Sequence, residues 1–223
     1  MKTTSTDELI SSLARGIRPV RPVAPLGWEV AGVSAVAAVL SGALVMLLGL
    51  RRDELGAGAG SMPFLWVALG LALLGLGGVA AALASSRPGR ERLERYWITI
   101  GLLAFVVCAS AAGLALEGTP SGVISGWGAA RELPCALFAL TLAIPPALIV
   151  VRLAASAAPL RPRRTALWAG WGAVALGALA AHLTCRTPGA WHVVLTHSAI
   201  PVLGGLLPMA ALAALLRRWR RVA

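Results

Sequence analysis

The side chains best suited to chemistry lie in the second half of this 223-residue chain. They are two cysteines and three histidines, Cys135, Cys185, His182, His192 and His197. Thiolate and imidazole ligands suit zinc, cadmium and copper(I), whereas two thiols in an oxidising compartment can instead form a disulfide. Residue types alone leave both forms open. A third cysteine, Cys108, stands alone within an apolar run, and we interpret it as a small core residue.

Six apolar runs must position these side chains, and each is about the 20 residues that a helix needs to cross a bilayer. The runs are Gly27–Leu50, Met62–Ala84, Tyr96–Leu116, Leu133–Val151, Thr165–Thr184 and Trp191–Leu216. Six such runs in 223 residues leave too little polar chain to cover them in water. The sequence therefore predicts an all-α, polytopic membrane protein with six transmembrane helices.

The distribution of charge predicts the orientation of those helices. Sixteen of the twenty Lys and Arg residues lie before the first run, in the second and fourth loops, and after the last run. Because basic residues favour the cytoplasmic side, both termini are predicted to be cytoplasmic. The net charge of +11 then reflects topology, so we expect contact with anionic lipid headgroups and no direct nucleic-acid binding.

The chain divides into a cytoplasmic segment at residues 1–26, a membrane domain at 27–216 and a basic tail at 217–223. In the first segment Ser5 and Glu8 have the spacing of a capping box, and an extended proline-rich linker, Arg18–Leu26, leads to the membrane. The stripe predicted to bind a partner comprises Leu9, Ile10, Leu13 and Ile17, flanked by Asp7 and Glu8. Such a short helix is marginal alone in water, which favours docking in a protein groove. The alternative, a stripe lying on the membrane, is disfavoured because anionic headgroups repel the two carboxylates.

The positions of the thiols and imidazoles predict a shared site on the outer side. Cys135 lies near the predicted start of the fourth helix, where the helix dipole stabilises a thiolate, and Cys185 ends the fifth helix. His182 precedes Cys185 by one turn on the same face, at a depth similar to that of His197. His192 and His197 are separated by about 140° around the helix, so they are not expected to point at one ligand. The candidate metal ligands are Cys135, Cys185, His182 and His197.

The spans carry few other chemical groups. No charged residue is expected deep in a span, which counts against ion-coupled transport, and no catalytic motif predicts an enzyme. Small residues on the fifth helix predict a packing seam, and four prolines predict kinks in the fourth and sixth helices. These residues are Ala169, Ala173, Gly177 and Ala181, and Pro145, Pro146, Pro201 and Pro208.

With these features in view, the chain resembles the NrsF-like family of six-helix bacterial membrane anti-sigma factors. The likeness rests on the opening segment DELISSLARGIRPVRP and on the order of Cys135 and Cys185 within the topology. It implies that the N-terminal segment sequesters an extracytoplasmic-function sigma factor at the inner membrane. It also implies that Cys135 and Cys185 take part in sensing. From the residues themselves we expect a thiol-reactive metal or redox signal, with His182 as a modulator. The alternative is a small membrane carrier or metal-handling protein that uses the same three side chains.

Overall fold

The computed structural model describes residues 5–15, 24–49, 61–116, 129–157, 159–185 and 190–220, and the regular structure within them is helical. The helices are α1 Thr6–Arg15, α2 Leu26–Leu48, α3 Ser61–Ser85, α4 Glu91–Leu116, α5 Ala129–Leu142, α6 Ile144–Ser156, α7 Pro162–Thr184, α8 Ala190–Gly204 and α9 Met209–Arg220. Residues 18–23 of the predicted Arg18–Leu26 linker lie outside the described residues, as do residues 50–60, 117–128 and 186–189 of the predicted loops.

Five segments of the described chain are long and apolar enough to cross a membrane. They are Leu26–Leu48, Met62–Ser85, Arg92–Leu114, Leu133–Ser156 and Pro162–Thr184. The sixth predicted span is not one helix, because α8 ends at Gly204 and α9 begins at Met209. Pro208 accounts for the division, since proline has no N–H to donate and disfavours helical backbone at the preceding residue.

Proline also interrupts the fourth span, as the sequence predicts. The helix breaks at Ala143, two residues before Pro145, and this break separates α5 from α6. The interruption is short, because the N–H of Ala143 still donates to the Ala139 carbonyl at 3.0 Å. The two segments therefore remain one traverse of the bundle with a local bend.

Helices α3 and α7 form the centre of the bundle. Most of each helix is buried, and the two helices cross at glycine residues. A Cβ atom added to Gly78 of α3 would lie 2.6 Å from the Cα of Gly172 in α7. This spacing brings the two backbones into direct contact, which is how small residues stabilise helix pairs in membranes.

The predicted seam on α7 is buried, and its Gly177 packs against a different neighbour, α5. Ala169, Ala173 and Ala181 are buried, and a Cβ on Gly177 would clash with the Ala139 carbonyl. Helix α7 therefore uses two small-residue faces, one against α5 and one against α3. It also packs against α8, so the predicted contact between the fifth and sixth spans is confirmed.

The bundle has two chemically different ends. We call the end that contains the C-terminus of α7 and the N-terminus of α8 the cysteine end. We call the opposite end, with residues 86–90 between α3 and α4 and residues 159–161 before α7, the arginine-rich end. Helix α7 runs from one end to the other, and therefore touches both sets of polar contacts.

Candidate functional site

Cys135 of α5 and Cys185 at the end of α7 meet at the cysteine end. Their sulfur atoms lie 3.3 Å apart although the residues are 50 positions apart in sequence. The Cys185 sulfur also lies 3.3 Å from Nε2 of His192 on α8. The three candidate ligand atoms are all within 4.8 Å of one another, which is close enough for one ion to touch them all.

His192 is held in this orientation by its own helix. Its Nδ1 lies 3.5 Å from the Thr196 hydroxyl, one turn further along α8, while Nε2 faces Cys185. Both His192 and Cys185 are buried, whereas Cys135 is partly accessible. The site is therefore enclosed by protein but reachable from the Cys135 side.

His182 occupies a different position from the one predicted for it. Its Nε2 lies 3.0 Å from the Phe64 carbonyl oxygen of α3, and its ring stacks on Phe64 at a centroid distance of 4.3 Å. Cys185 caps α7 with φ −65° and ψ 124°, so the helical backbone ends at this residue. Among the described residues, His192 and not His182 is the imidazole grouped with the two thiols.

His197 lies between the two other imidazoles and is completely buried. Its ring meets His182 edge-on at 5.0 Å and His192 edge-on at 5.4 Å between centroids. The predicted proximity of His182 and His197 is thus confirmed. His192 and His197 are also in ring contact, but among the described residues only His192 is grouped with the two thiols, which agrees with the expectation that these two imidazoles do not point at one ligand. Neither ring nitrogen of His197 has a hydrogen-bond partner in the described part of the chain.

The helix environment of Cys135 also differs from the expectation. Helix α5 begins at Ala129, so Cys135 lies in its second turn rather than at its start. Because dipole stabilisation declines beyond the first turn, it no longer distinguishes Cys135 from Cys185. The side chain of Arg131 and the whole of Arg186 lie outside the described residues. Cys108 is a free thiol buried against Gly70 of α3, as expected for a core residue.

A second polar cluster lies at the arginine-rich end. Arg87 donates to the Glu29 carboxylate at 2.6 Å and to the Ala24 carbonyl at 2.7 Å. Arg87 therefore connects the α3–α4 turn to the start of α2 and to Ala24, two residues before that helix.

Helix α7 joins this cluster through Glu94 of α4. This carboxylate is 2 % exposed, pairs with Arg164 and accepts a hydrogen bond from the Trp168 indole at 2.6 Å. Ser85 and Thr165 share a further hydrogen bond of 2.8 Å between α3 and α7. Sequence reasoning did not identify Glu94, although a carboxylate within the first turns of an apolar helix is a signal for a buried partner.

The N-terminal helix has the predicted capping box in both directions. The Ser5 N–H donates to Glu8 at 3.1 Å, and the Glu8 N–H donates to the Ser5 hydroxyl at 3.3 Å. Asp7, Glu8 and Ile10 are exposed on α1. The side chains of Leu9 and Leu13, and all of Ile17, lie outside the described residues.

A family model described as NrsF, negative regulator of sigma F, matches residues 13–219. The chain belongs to this family. The NrsF match includes all five membrane-length segments and the grouped Cys135, Cys185 and His192, while most of α1 precedes it. No curated protein and no solved structure matched the chain.

Membership of the NrsF family assigns the chain to negative regulators of a sigma factor, and so identifies a sigma factor as its partner. The membrane-length helices make it a membrane protein by composition and length.

Proposed function

We propose that this chain is a membrane-bound anti-sigma factor that holds an extracytoplasmic-function sigma factor and releases it on a thiol-reactive stress signal. The observation that carries the proposal is the family match over residues 13–219. Because this is a family of regulators, the proposal includes no catalytic step. The signal acts on Cys135 and Cys185 from the periplasm, with His192 beside them and His182 in the adjoining imidazole row.

The proposed orientation has both termini in the cytoplasm of a bacterium with two membranes. The sixth crossing is formed by α8 and α9 together, bent at residues 205–208. The distribution of basic residues supports this topology, because the arginine-rich end would then face the cytoplasm. Residues 1–26 would be the partner-binding segment, 27–216 the membrane domain and 217–223 a basic tail against anionic lipid.

The N-terminal segment is the proposed binding element for the sigma factor. Helix α1 has ten residues, which is too short for stability in water without a partner surface. Its capping box fixes the start of the helix, and Ile10 is 57 % exposed. Asp7 and Glu8 complement a basic groove, and the apolar stripe of Leu9, Ile10, Leu13 and Ile17 fits a helix-in-groove interaction.

Helix α7 offers a route by which the signal reaches this segment. At the cysteine end it ends in Cys185, and at the arginine-rich end Thr165 bonds to Ser85 of α3. Ser85 is two residues from Arg87, which holds the Ala24 carbonyl at the exit of the N-terminal segment. A change in the position of α7 would therefore alter the contacts that anchor that segment.

Co-purification tests the sigma-factor interaction. The full chain, expressed in its host and extracted in detergent, should recover one sigma factor by mass spectrometry. Leu9→Asp and Leu13→Asp should abolish recovery, because each buries a charge in the proposed interface at a cost of several kcal/mol. Ser11→Asp, which adds the same charge to the polar face of α1, is the matched control and should retain binding. Equal recovery with all three variants would refute the assignment of α1.

Induction of a sigma-dependent reporter tests the role of the thiols. Cys135→Ser, Cys185→Ser and the double variant should lose induction to the same extent, because residues that act as one unit are not additive. All three should still bind the sigma factor. Cys108→Ala is the control, and a loss of induction in that variant equal to the others would contradict a shared site.

One observation favours a second candidate, a metal-handling membrane protein, namely the grouping of two thiols and an imidazole. That candidate requires no sigma factor. Purification of the chain without any sigma factor, together with metal accumulation that depends on Cys135, would support it instead.

A further inference from the structure

The geometry at the cysteine end points to a metal site, and we propose that Cys135, Cys185 and His192 bind one thiophilic divalent ion such as Zn²⁺ or Cd²⁺. This assignment deepens the proposed function, on which its regulatory meaning rests, because it selects a metal rather than an oxidant as the signal. It also replaces the imidazole ligand expected from sequence, His182, by His192.

The distances between the ligand atoms are close to those of a zinc site. In a tetrahedral zinc site, Zn–S bonds of about 2.3 Å and Zn–N bonds of about 2.05 Å place two sulfurs about 3.8 Å apart and sulfur and nitrogen about 3.6 Å apart. The corresponding distances here are both 3.3 Å. The third separation, between the Cys135 sulfur and the His192 imidazole, is within 4.8 Å. Shifts of up to about 1 Å therefore suffice to admit the ion, without any helix changing its neighbours.

The orientation of His192 is that of a metal ligand. A ligating histidine commonly directs one nitrogen to the metal and the other to a fixed polar group, which sets its tautomer. Nε2 of His192 faces Cys185, while Nδ1 faces the Thr196 hydroxyl at 3.5 Å. A disulfide between Cys135 and Cys185 has no use for such an imidazole, whereas a divalent ion gains a third ligand from it.

The two ring nitrogens of His197 independently indicate a bound ligand. It is fully buried and in ring contact with His192, yet both of its nitrogens are without a hydrogen-bond partner among the described residues. Buried polar atoms without partners are unfavourable, so such a ring is best explained by a bound group that coordinates or hydrogen-bonds to it. An ion held by the two thiolates and His192 has a fourth position for a water molecule, and such a water is a hydrogen-bond partner for the buried His197 ring.

The identity of the metal follows from the ligand set. Thiolate and imidazole together prefer borderline and soft ions, and exclude Mg²⁺ and Ca²⁺, which require oxygen ligands. Three ligands of two types on three helices suit a tetrahedral ion with one open position better than copper(I), for which two thiolates are sufficient. Partial exposure of Cys135 provides the path of entry.

Metal titration of the reduced, full-length protein in detergent tests the proposal. Cd²⁺ should bind with a stoichiometry of one per chain and produce a sulfur-to-metal charge-transfer band in the ultraviolet, which Mg²⁺ does not. Cys135→Ser and Cys185→Ser should abolish tight binding. His192→Ala should weaken it at least tenfold, and His192→Cys should restore it by supplying a third thiolate. His182→Ala, a neighbouring buried imidazole bonded to Phe64, is the matched control and should bind within about threefold of wild type.

The possible outcomes separate this proposal from the function on which it rests. No stoichiometric Cd²⁺ band, or wild-type affinity in folded His192→Ala, would overturn the metal site. If such a protein still released its sigma factor on oxidation, with Cys135 and Cys185 then protected from alkylation, the anti-sigma function would stand with a disulfide as its signal. Metal binding as proposed in a chain that recovers no sigma factor would instead support the site and contradict the function.

Discussion

The crossing of α3 and α7 predicts that one methyl group at Gly78 destabilises the bundle. A Cβ there would lie 2.6 Å from both the Cα and the N of Gly172, and 3.1 Å from the Trp168 carbonyl oxygen. Ordinary contacts between carbon atoms are about 3.5–4.0 Å, so the two backbones must separate by about 1 Å in Gly78→Ala. Because the atoms in the way are backbone rather than flexible side chain, the expected packing cost is about 1–3 kcal/mol.

Gly32→Ala is the matched control, because a Cβ at that position of α2 meets nothing within 4 Å. Alanine is favoured over glycine in a helix by up to about 1 kcal/mol, and both variants share this gain. The difference between them therefore isolates the packing cost. For a chain of this size 1 kcal/mol corresponds to about 2–4 °C, so Gly78→Ala should melt about 2–12 °C below Gly32→Ala.

The measurement is the fraction of detergent-solubilised protein that remains monodisperse by size exclusion after heating to graded temperatures. Equal midpoints for the two variants would refute the close crossing of α3 and α7. A lower midpoint for Gly32→Ala than for wild type would show instead that the glycines act through the flexibility of the helices. Sigma-factor recovery at low temperature should be retained in both variants, since neither touches α1.

Two further predictions concern sidedness and coupling. Reporter fusions after Ser86 and at the C-terminus should behave as cytoplasmic, and fusions near Gly60 and Thr119 as periplasmic. The reason is that basic residues are concentrated near Ser86 and near the C-terminus. A periplasmic C-terminus would contradict the proposed orientation. Arg87→Ala removes the hydrogen bond to the Ala24 carbonyl, so it should leave sigma-factor binding detectable but reduce the change produced by the thiol signal. Unchanged induction in that variant would exclude Arg87 from the route.

Features set by local sequence could be predicted, because the interacting groups are close in the chain. The capping box joins Ser5 and Glu8 across three positions, and both of its hydrogen bonds form. The break before Pro145 is equally local, since it follows from the missing N–H of proline. The apolar length of the first five spans similarly requires no knowledge of neighbours.

Features set by the approach of distant segments could be predicted only in part. The predicted depth in the bilayer placed Cys135 and Cys185 at the same level. Which imidazole joins them depends instead on the rotation of each helix about its axis. The sequence does not determine that rotation, because the spacing of residues within one helix does not say which of its faces meets the neighbouring helix. The start of α5 at Ala129 was also missed, because polar Arg131 and Glu132 were taken for a loop although polar residues do not end a helix.

Pairings across the bundle were not predictable from one sequence. The glycines of α3 indicate a close approach, but nothing in them identifies Gly172 as the partner. Glu94 likewise precedes Arg164 by 70 positions, and its burial depends on how α4 and α7 cross. A carboxylate at the start of a span resembles a loop charge until the opposing helix is known.

The free energies of the contacts at the arginine-rich end decide whether α7 can act as a switch between the sigma-binding and released states. Moving a partner equilibrium from 99:1 bound to 99:1 released requires a difference of about 5.5 kcal/mol between the two states. Leaving the buried Glu94 carboxylate without Arg164 costs at most about 3–5 kcal/mol, because Arg164 is partly exposed and screened by solvent. A hydrogen bond such as that between Ser85 and Thr165 adds about 1 kcal/mol. Loss of both contacts can therefore change the free-energy difference between the two states by about the amount required. Loss of the hydrogen bond alone cannot. If the proposed signal acts through α7, Glu94→Gln should make the chain respond to less metal, because it removes much of the free-energy difference that favours the sigma-binding state.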